Sequence, residues 1–332
     1  MKKGIAFAGN IIIDYVKLID AYPAEQSLTT IRDMKPSLGG LCCNCVLTLA
    51  KLDPELPIKV IGIIGEDDAG DFAMSSFGKH ASVDTSRILR QGHTSYTDVM
   101  TVTSTSKRTF FTYQGANALL KPEHFDFSAL DADILHIGYI LLLDGLDAPD
   151  EDYPTAMCRV LDAAQKAGIR TSIDVVSEEG ERFAKLVTPA LKYADYCIIN
   201  EYEASLTVGI PVRDAGGNLI EENLPVICQK LMDMGVGRWV VVHMQELSCG
   251  LEHGGSYYQE NSWEIPEGFK KSSVGAGDAY AGGILYGIYN DWSLEESINT
   301  AGAVAAYSLS GVGAYDPIKP LPELIKEMKT FQ

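Results

Sequence analysis

The chain has 332 residues, and its 45 acidic side chains against 27 Lys and Arg give a formal net charge of −18. Its length corresponds to roughly two domains of about 150 residues, or to one large α/β domain with an insertion. A hydrophobic fraction of 46% excludes a disordered chain, because disorder needs low hydrophobicity together with high net charge. The acidic surplus leaves no basic face for nucleic acid or for an anionic membrane surface, so we expect neither partner.

The cysteines and the apolar runs indicate the compartment. Seven cysteines are present, and Cys42 and Cys45 have CxxC spacing, but the sequence has no second CxxC pair and no Cys/His spacing typical of a zinc site. We predict that Cys42, Cys43 and Cys45 are small buried residues on a helix. The apolar runs are too short to span a bilayer, and Ile5–Ala8 is too short for the core of a signal peptide. Together these features predict a protein of the reducing cytoplasm.

Strands and helices are predicted to alternate along most of the chain. Several predicted strands are continuous apolar runs, which is typical of strands buried on both faces of a parallel sheet. The alternation predicts a doubly wound α/β core with a mostly parallel sheet. The predicted strands are Ile5–Ala8, Ile58–Ile64, Ile134–Gly138, Thr171–Val175, Tyr196–Ile199 and Trp239–His243. The predicted helices are Cys42–Leu52, Ala69–His80, Thr155–Ala167, Arg182–Leu191, Asn223–Asp233, Ala276–Tyr289 and Leu294–Ser310.

Two segments break this alternation. Tyr96–Thr103 and Arg108–Tyr113 alternate polar and apolar residues around the polar turn 104–107, which is typical of a hairpin. Tyr15–Ile19 and Leu28–Met34 flank Pro23 in a similar way. We predict a small antiparallel sheet that is inserted into the core in two pieces. On this division residues 1–14, 38–93 and 118–332 form the core, and residues 15–37 and 94–117 form the small sheet.

The strongest chemical signal is the segment Ser272-Ser273-Val274-Gly275-Ala276-Gly277-Asp278 before an apolar helix. Glycines allow several backbone N–H groups to point at one spot, and the helix dipole adds partial positive charge there. The segment therefore predicts an anion site built without a basic side chain. A carboxylate at Asp278 would take the proton of a hydroxyl that attacks a phosphoryl group. Alternatively, Asp278 only complements the helix dipole.

Other loops carry weaker signals. Gly39 and Gly40 precede a helix that contains Asn44, and glycines permit a close approach of the backbone to a ligand. Asn10 and Asp14 come after the first strand, where open α/β sheets bind ligands. Asn200 and Glu203 follow a later strand at the same edge. Taken singly, Asn10 also suits a turn and Glu203 a solvated helix. For Arg108 on the hairpin we favour a solvent-facing position over the alternative that it reaches a ligand.

Together these motifs resemble the ribokinase-like sugar and nucleoside kinases, the PfkB family. The resemblance runs from Gly4 to about Asp316 and rests on five motifs in the family's order. They are Gly39–Asn44, Ile61–Gly70 with the pattern G-x-x-G-x-D-x-x-G, Gly115-Ala116-Asn117, Asn200-x-x-Glu203 and Gly275-Ala276-Gly277-Asp278. It implies a three-layer αβα core with the small sheet as a lid, which often pairs between the subunits of a homodimer.

The resemblance also implies roles for individual residues and an ATP-dependent reaction with Mg²⁺. Asp278 would be the base, and the amides of Gly275, Ala276 and Gly277 would form the anion hole. Substrate hydroxyls would be bound by Asn10, Asp14, Gly39, Gly40 and Asn44. Glu203, with Asn200, would organise Mg²⁺ and the ATP phosphates through water, and His243 is our further candidate for a nucleotide contact.

The sequence departs from the family's pattern at three places, of which Val46, where the family often has Ala, is expected to be neutral. Ser272-Ser273 stands where the family has Asp-Thr, and that Asp often helps to hold an activating monovalent cation, so we do not predict activation by K⁺. His243-Met244-Gln245 stands where the family has Thr-x-Gly, which predicts an altered nucleotide pocket.

The sequence favours an ATP-dependent kinase of a small sugar over three alternatives. A nucleoside kinase of the same family is favoured by Gly9-Asn10 followed by Asp14, which is similar to the adenosine kinases. A sugar-binding protein without catalysis is favoured only by Ser272, and the presence of Asp278 and Glu203 counts against it. A dinucleotide-dependent oxidoreductase would need GxGxxG after the first strand, and that motif is absent.

Overall fold

Two β-sheets organise the chain in the computed structural model, which describes residues 2–105, 107–178 and 180–331. Ser106, in the predicted hairpin turn, lies outside the described residues. The strands of the described ranges are β1 (Ile5–Gly9), β2 (Ile12–Ile19), β3 (Ile31–Gly39), β4 (Ile58–Ile64), β5 (Val83–Arg90), β6 (Ser95–Val102), β7 (Arg108–Tyr113), β8 (Ile134–Ile140), β9 (Arg170–Val175), β10 (Tyr196–Asn200), β11 (Trp239–His243), β12 (Leu247–Glu252) and β13 (Tyr257–Asn261).

The larger sheet has nine strands in the described part of the chain, in the order β13-β12-β11-β10-β9-β8-β1-β4-β5. From β11 to β5 all neighbours are parallel, and only β12 and β13 are antiparallel. Six of these strands follow the continuous apolar runs of the sequence. The edge strands β5 and β13, and β12 beside β13, were not predicted, because polar residues interrupt them and remove the apolar signal.

Helices cover both faces of the larger sheet. They are α1 (Leu41–Leu52), α2 (Asp68–Phe77), α3 (Asp144–Asp147), α4 (Ala156–Lys166), α5 (Arg182–Ala190), α6 (Glu201–Val208), α7 (Asn223–Asp233), α8 (Ala276–Tyr289), α9 (Leu294–Ser308) and α10 (Leu321–Met328). Alternate residues of β1 separate the two cores: Ile5 and Phe7 pack with α1, α8 and α9, while Ala6 and Ala8 pack with α4 and α7. The three-layer α/β fold is thus confirmed. Among the described residues, no helix is long and apolar enough to cross a membrane.

The cysteines lie where their residue type predicts. Cys42, Cys43 and Cys45 are fully buried on α1, and every cysteine of the described chain is a free, buried thiol. Burial raises the pKa of these three thiols, so they remain protonated and act as small packing groups. Their prediction as core residues is confirmed.

The smaller sheet has the strand order β3-β2-β6-β7. The prediction of an antiparallel sheet is wrong at its centre, where β2 pairs with β6 in parallel. The reason is that β2 and β6 follow the parallel strands β1 and β5 after short links, so both leave the larger sheet in the same direction. Asp14 lies on β2 itself, beside Thr97 of β6 and Ser37 of β3.

One predicted motif holds the two sheets together. Asp67, in the G-x-x-G-x-D element, caps α2 by accepting a hydrogen bond of 2.9 Å from the Gly70 amide. Its second carboxylate oxygen accepts a hydrogen bond of 2.9 Å from the amide of Thr94, directly before β6. The Thr94 hydroxyl in turn accepts a hydrogen bond of 2.9 Å from the amide of Gly65. Asp67 therefore fixes the point at which β6 leaves the larger sheet.

Candidate active site

The predicted site residues converge at the carboxyl ends of the parallel strands. Asn10 follows β1, Asn200 ends β10, His243 ends β11, and α8 begins at Ala276 beside them. The register confirms their alignment, because Asn200 pairs with His243 and Gly9 pairs with Gly138. This edge is where open α/β sheets bind ligands. A cavity of about 510 Å³ lies at the opposite edge of the sheet, at the amino ends of β9, β10 and β11. It is separate from the edge that carries the predicted site residues.

Asp278 lies in the first turn of α8 and is 7% exposed. Its Oδ2 accepts a hydrogen bond of 2.7 Å from Nδ2 of Asn44, and its Oδ1 accepts one of 2.7 Å from the hydroxyl of Tyr139. Burial raises the pKa of Asp278, and these two hydrogen bonds oppose that rise because they stabilise the carboxylate. Two donors on two oxygens also fix the plane of the carboxyl group.

The start of α8 is shaped for an anion. Gly275 has φ of 71°, and a Cβ built there would lie 2.1 Å from the Cβ of Ala314, so only glycine fits. A Cβ on Gly277 would lie 3.1 Å from Cε1 of His243. The missing side chains leave the first-turn amides of α8 accessible next to Asp278, and these amides have no partners within the helix.

Asn200 and Glu203 cap α6 reciprocally. The amide of Glu203 donates to Oδ1 of Asn200 over 2.9 Å, and the amide of Asn200 donates to Oε2 of Glu203 over 2.9 Å. Ser177, after β9, donates its hydroxyl to Oε1 of Glu203 over 2.7 Å. Glu203 is 3% exposed, and burial raises its pKa to about 7.

Asp174, near the end of β9, adds a carboxylate that the sequence did not single out. It is 5% exposed, and its pKa lies well above the ordinary value, first through burial and then through the charges of Glu203 and Asp278. No three His, Cys, Asp or Glu side chains of the described residues are close enough to hold a metal ion by themselves. Buried carboxylate oxygens of this kind suit Mg²⁺, which binds one or two carboxylates together with substrate phosphates.

The residues predicted to bind the substrate lie close to one another. A Cβ on Gly39 would lie 2.1 Å from Oδ2 of Asp14, and a Cβ on Gly40 would lie 2.6 Å from the carbonyl oxygen of Asn10. Oδ1 of Asn10 accepts a hydrogen bond of 2.9 Å from the amide of Tyr139. Burial and then the charge of Asp278 raise the pKa of Asp14 to about 7, against the opposing charge of nearby Arg108.

A small cavity lies between the two sheets at this point. Two buried amide atoms beside the site, Oδ1 of Asn44 and Nδ2 of Asn117, have no hydrogen-bond partner among the described residues. A buried polar atom without a partner costs free energy unless a ligand or water satisfies it. The lining of the cavity is rich in amide and hydroxyl groups: Asn10, Ile12, Thr97, Thr112, Tyr113, Gln114, Asn117, Tyr139 and Leu142.

Arg108 departs from its expected solvent-facing position. It begins β7 on the same face as Thr112 and Asp14, and its guanidinium donates to Oγ of Ser272 over 3.4 Å. The same Oγ accepts a hydrogen bond of 3.2 Å from the Val274 amide. Arg108 is half-buried and forms no ion pair of 4 Å or less with any carboxylate in the described ranges. A cation from the smaller sheet therefore faces the site.

His243 lies beside the anion-binding turn. Its ring packs against that of Tyr280 at a tilt of 33°, with centroids 5.0 Å apart, and burial lowers its pKa to about 4, so it is neutral near pH 7. The residues that sequence reasoning missed are Tyr139 and Asp174, while Asn117 was named as part of a motif without a role of its own. Asp174 and Tyr139 share one available signal, since each stands at or near the carboxyl end of a buried strand.

Comparison with known proteins agrees with this geometry. Residues 2–321 match the model of the pfkB family of carbohydrate kinases. The chain is similar to the 5-dehydro-2-deoxygluconokinase of Clostridium perfringens, with 23% identity over 98% of this chain and 92% of the relative. It is 26% identical to the ATP-dependent ribose-1-phosphate kinase of Halopiger xanaduensis over 92% of each chain. The fold matches the ribokinase of Arabidopsis thaliana in complex with ribose and ATP, with a TM-score of 0.79, 20% identity and 99% of each chain covered.

Proposed function

Because the chain belongs to the pfkB family of carbohydrate kinases, and is thus a phosphotransferase with an alcohol group as acceptor, we propose that it transfers the γ-phosphoryl group of ATP to a small sugar. The observation that carries this proposal is Asp278. A buried carboxylate, held by two hydrogen bonds, lies in the same helical turn as the glycine-lined first-turn amides of α8. Proton acceptance and anion stabilisation are thus available within one turn of helix.

In the proposed reaction the acceptor hydroxyl gives its proton to the carboxylate of Asp278. The acceptor oxygen forms a bond to the γ-phosphorus while the bond from that phosphorus to the bridging oxygen breaks, and ADP leaves with the bonding electron pair. The amides of Gly275, Ala276 and Gly277 compensate the charge on the transferring group. The transfer is direct, without a phosphoenzyme.

Mg²⁺ fits the carboxylates of Asp174, near the end of β9, and of Glu203, in the first turn of α6 after β10. Bound with the nucleotide, the ion would neutralise charge on the ATP phosphates. Glu203 would orient its water ligands, and Asn200 and Ser177 hold Glu203 in place for this. Asp174 would add negative charge to the same region. His243, neutral and next to Gly277, is our candidate for a nucleotide contact.

For the acceptor, we propose a sugar that carries an anionic group. The names of both curated relatives denote such acceptors, a gluconate derivative and ribose-1-phosphate. Arg108 offers a half-buried guanidinium on the site-facing side of the smaller sheet. Guanidinium groups bind carboxylate and phosphate in a fork geometry. Asn10, Asp14, Gly39, Gly40 and Asn44 would bind the sugar hydroxyls, and the unpartnered amide of Asn117 adds a donor.

The smaller sheet would act as a lid over the acceptor and as the contact between two subunits. Closure excludes water, so that ATP is not lost to hydrolysis. The face of the sheet that points away from the site carries Met34 and Phe111, which are 53% and 54% exposed. A second subunit that pairs with this face would bury them.

The test is an acceptor panel with ATP and Mg²⁺, in which ADP release and the phosphorylated product are both measured. The panel contains neutral sugars, their acid and phosphate derivatives, and nucleosides. We expect acceptor-dependent ADP release with a sugar acid or a sugar phosphate. If only nucleosides are phosphorylated, the protein is a nucleoside kinase and the proposed sugar acceptor is wrong. If a sugar binds without any ADP release, the protein is not a kinase. With anionic acceptors, kcat/KM of the variant Arg108→Gln should fall by about tenfold or more, and with neutral acceptors it should fall less.

A further inference from the structure

Tyr139 is the second group that holds the carboxylate of Asp278, and neither the sequence motifs nor the family resemblance assigned it a role. Its hydroxyl donates to Oδ1 over 2.7 Å, while Asn44 holds Oδ2 over the same distance. We propose that Tyr139 is a positioning residue that fixes the orientation of Asp278 and keeps it ionised for proton abstraction. This inference rests on the proposed function for its kinetic consequences, but the hydrogen bond itself is testable without turnover.

The backbone around Tyr139 leaves the side chain little freedom. Its amide donates to Oδ1 of Asn10 over 2.9 Å, and its carbonyl oxygen accepts a hydrogen bond of 3.2 Å from the Leu142 amide. The amide of Asn10 donates to the carbonyl of Gly138 over 3.1 Å. Asn10 is a predicted substrate residue, so Tyr139 joins the substrate side of the site to the base through one residue.

The phenol of Tyr139 stays protonated near neutral pH and can therefore donate to the carboxylate. Burial, followed by the charge of Asp278, raises the pKa of Tyr139 well above its ordinary value. The hydroxyl therefore stays protonated and stabilises the charged form of Asp278, because a hydrogen bond to a carboxylate is stronger than one to a carboxylic acid. Without it, burial would hold more of Asp278 in the protonated form, which accepts no proton.

Several other groups face Asp278 and titrate or carry charge. Three carboxylates lie near enough that their charges interact with that of Asp278, and a thiol donates to its backbone carbonyl over 3.1 Å. These groups remain in place when the phenol is removed, so a difference between wild type and a Tyr139 variant reports the phenol alone. They are Asp14 on β2, Asp174 on β9, Glu203 on α6 and Cys45 on α1.

The experiment measures the pKa of Asp278 by carbon-13 NMR of labelled aspartate carboxyl groups, with Asp278→Asn to assign the signal. We expect Tyr139→Phe to raise that pKa by about one unit. Tyr196→Phe is the matched control: Tyr196 is also buried, but its hydroxyl contacts Arg170 at the amino end of the strands. A Tyr139→Phe variant with an unchanged Asp278 pKa would overturn the proposal, whether or not any acceptor is turned over.

Kinetics and a second variant complete the test. With an active acceptor, Tyr139→Phe should lower kcat by about tenfold at low pH, leave KM for ATP unchanged, and move the acid limb of the profile upward. A fluorotyrosine at position 139 is a stronger donor and should move the limb downward without removing the phenol. A uniform loss of kcat at every pH in both variants would contradict the proposal, because it would report a packing defect instead.

Discussion

The side-chain amide of Asn44 donates to Oδ2 of Asp278 over 2.7 Å, joining residues that are 234 positions apart in the chain. Asn44 lies on the first full turn of α1 after the Gly39-Gly40 pair, and Asp278 lies on the first turn of α8. The two helices pack on the same face of the larger sheet. One contact therefore positions both the Gly39-Gly40 loop, which we propose binds the substrate, and Asp278, the proposed base.

Replacement of Asn44 by Leu should weaken the base. The carboxylate loses one of its two donors, so its pKa rises, and we expect the acid limb of the pH–rate profile to shift upward with a loss of about tenfold or more in kcat. The control is Thr48→Val on the same helix, because the buried hydroxyl of Thr48 has no partner among the described residues. Steady-state kinetics between about pH 5 and 9 measures the shift of the acid limb. An unshifted limb in Asn44→Leu would contradict the role of this contact.

Glu203→Gln should raise the Mg²⁺ concentration needed for half-maximal activity by about tenfold. The variant keeps the shape of the capping box but removes the charge that would orient the ion's water ligands. Glu201→Gln is a matched control in the same helical turn, because Glu201 pairs with Arg213 rather than facing the site. A titration of activity against Mg²⁺ at fixed ATP compares the two variants. Equal Mg²⁺ requirements in wild type and Glu203→Gln would rule out this role.

Gly275→Ala should impair both stability and turnover. The added Cβ would lie 2.1 Å from the Cβ of Ala314, and the backbone there has φ of 71°. Gly254→Ala is the control, because Gly254 has φ of 68° but open space around a Cβ. Both variants pay about 1–2 kcal/mol for the left-handed conformation, and Gly275→Ala should lose about 1–3 kcal/mol more through the clash. Thermal unfolding measures this difference, and equal losses in the two variants would contradict it.

Met34→Glu with Phe111→Glu should separate the proposed dimer. The strand register places both residues on one face of the smaller sheet in adjacent cross-strand rows, with Met34 beside Lys17 and Phe111 beside Asp98. Charges on this face would meet across the interface and disfavour pairing. Val226→Glu introduces the same charge on α7, where the residue is 47% exposed. Light scattering coupled to size exclusion should give a dimer for wild type and Val226→Glu and a monomer for the double variant. A wild-type monomer at micromolar concentration would remove the proposal.

The sequence predicts the elements whose signal is local and leaves out those fixed by distant contacts. Continuous apolar runs identified the inner strands, and the glycine pattern at residues 275–277 identified the start of α8. The edge strand β5 was missed because four consecutive polar residues, 84–87, interrupt its apolar signal at the rim of the sheet. The parallel pairing of β2 with β6 was missed because it depends on where two other strands end.

The candidate site divides in the same way. Asp278, Asn44 and Glu203 are recognisable because they sit in short motifs with characteristic spacing. Tyr139 belongs to no such motif, and its importance comes only from a hydroxyl that reaches a residue 139 positions later. Arg108 was expected in solvent because a hairpin arginine usually faces water, but the fold of the smaller sheet brings it to Ser272.

The central claim is that Asp278 is the base for phosphoryl transfer, and Asp278→Asn tests it most directly once an acceptor is known. Asn keeps the size of the side chain and removes its capacity to take a proton. We expect a loss of about 10²–10⁴-fold in kcat, with ATP affinity and thermal stability close to those of the control Asp291→Asn just beyond the other end of α8. A kcat for Asp278→Asn equal to that of wild type would contradict the account.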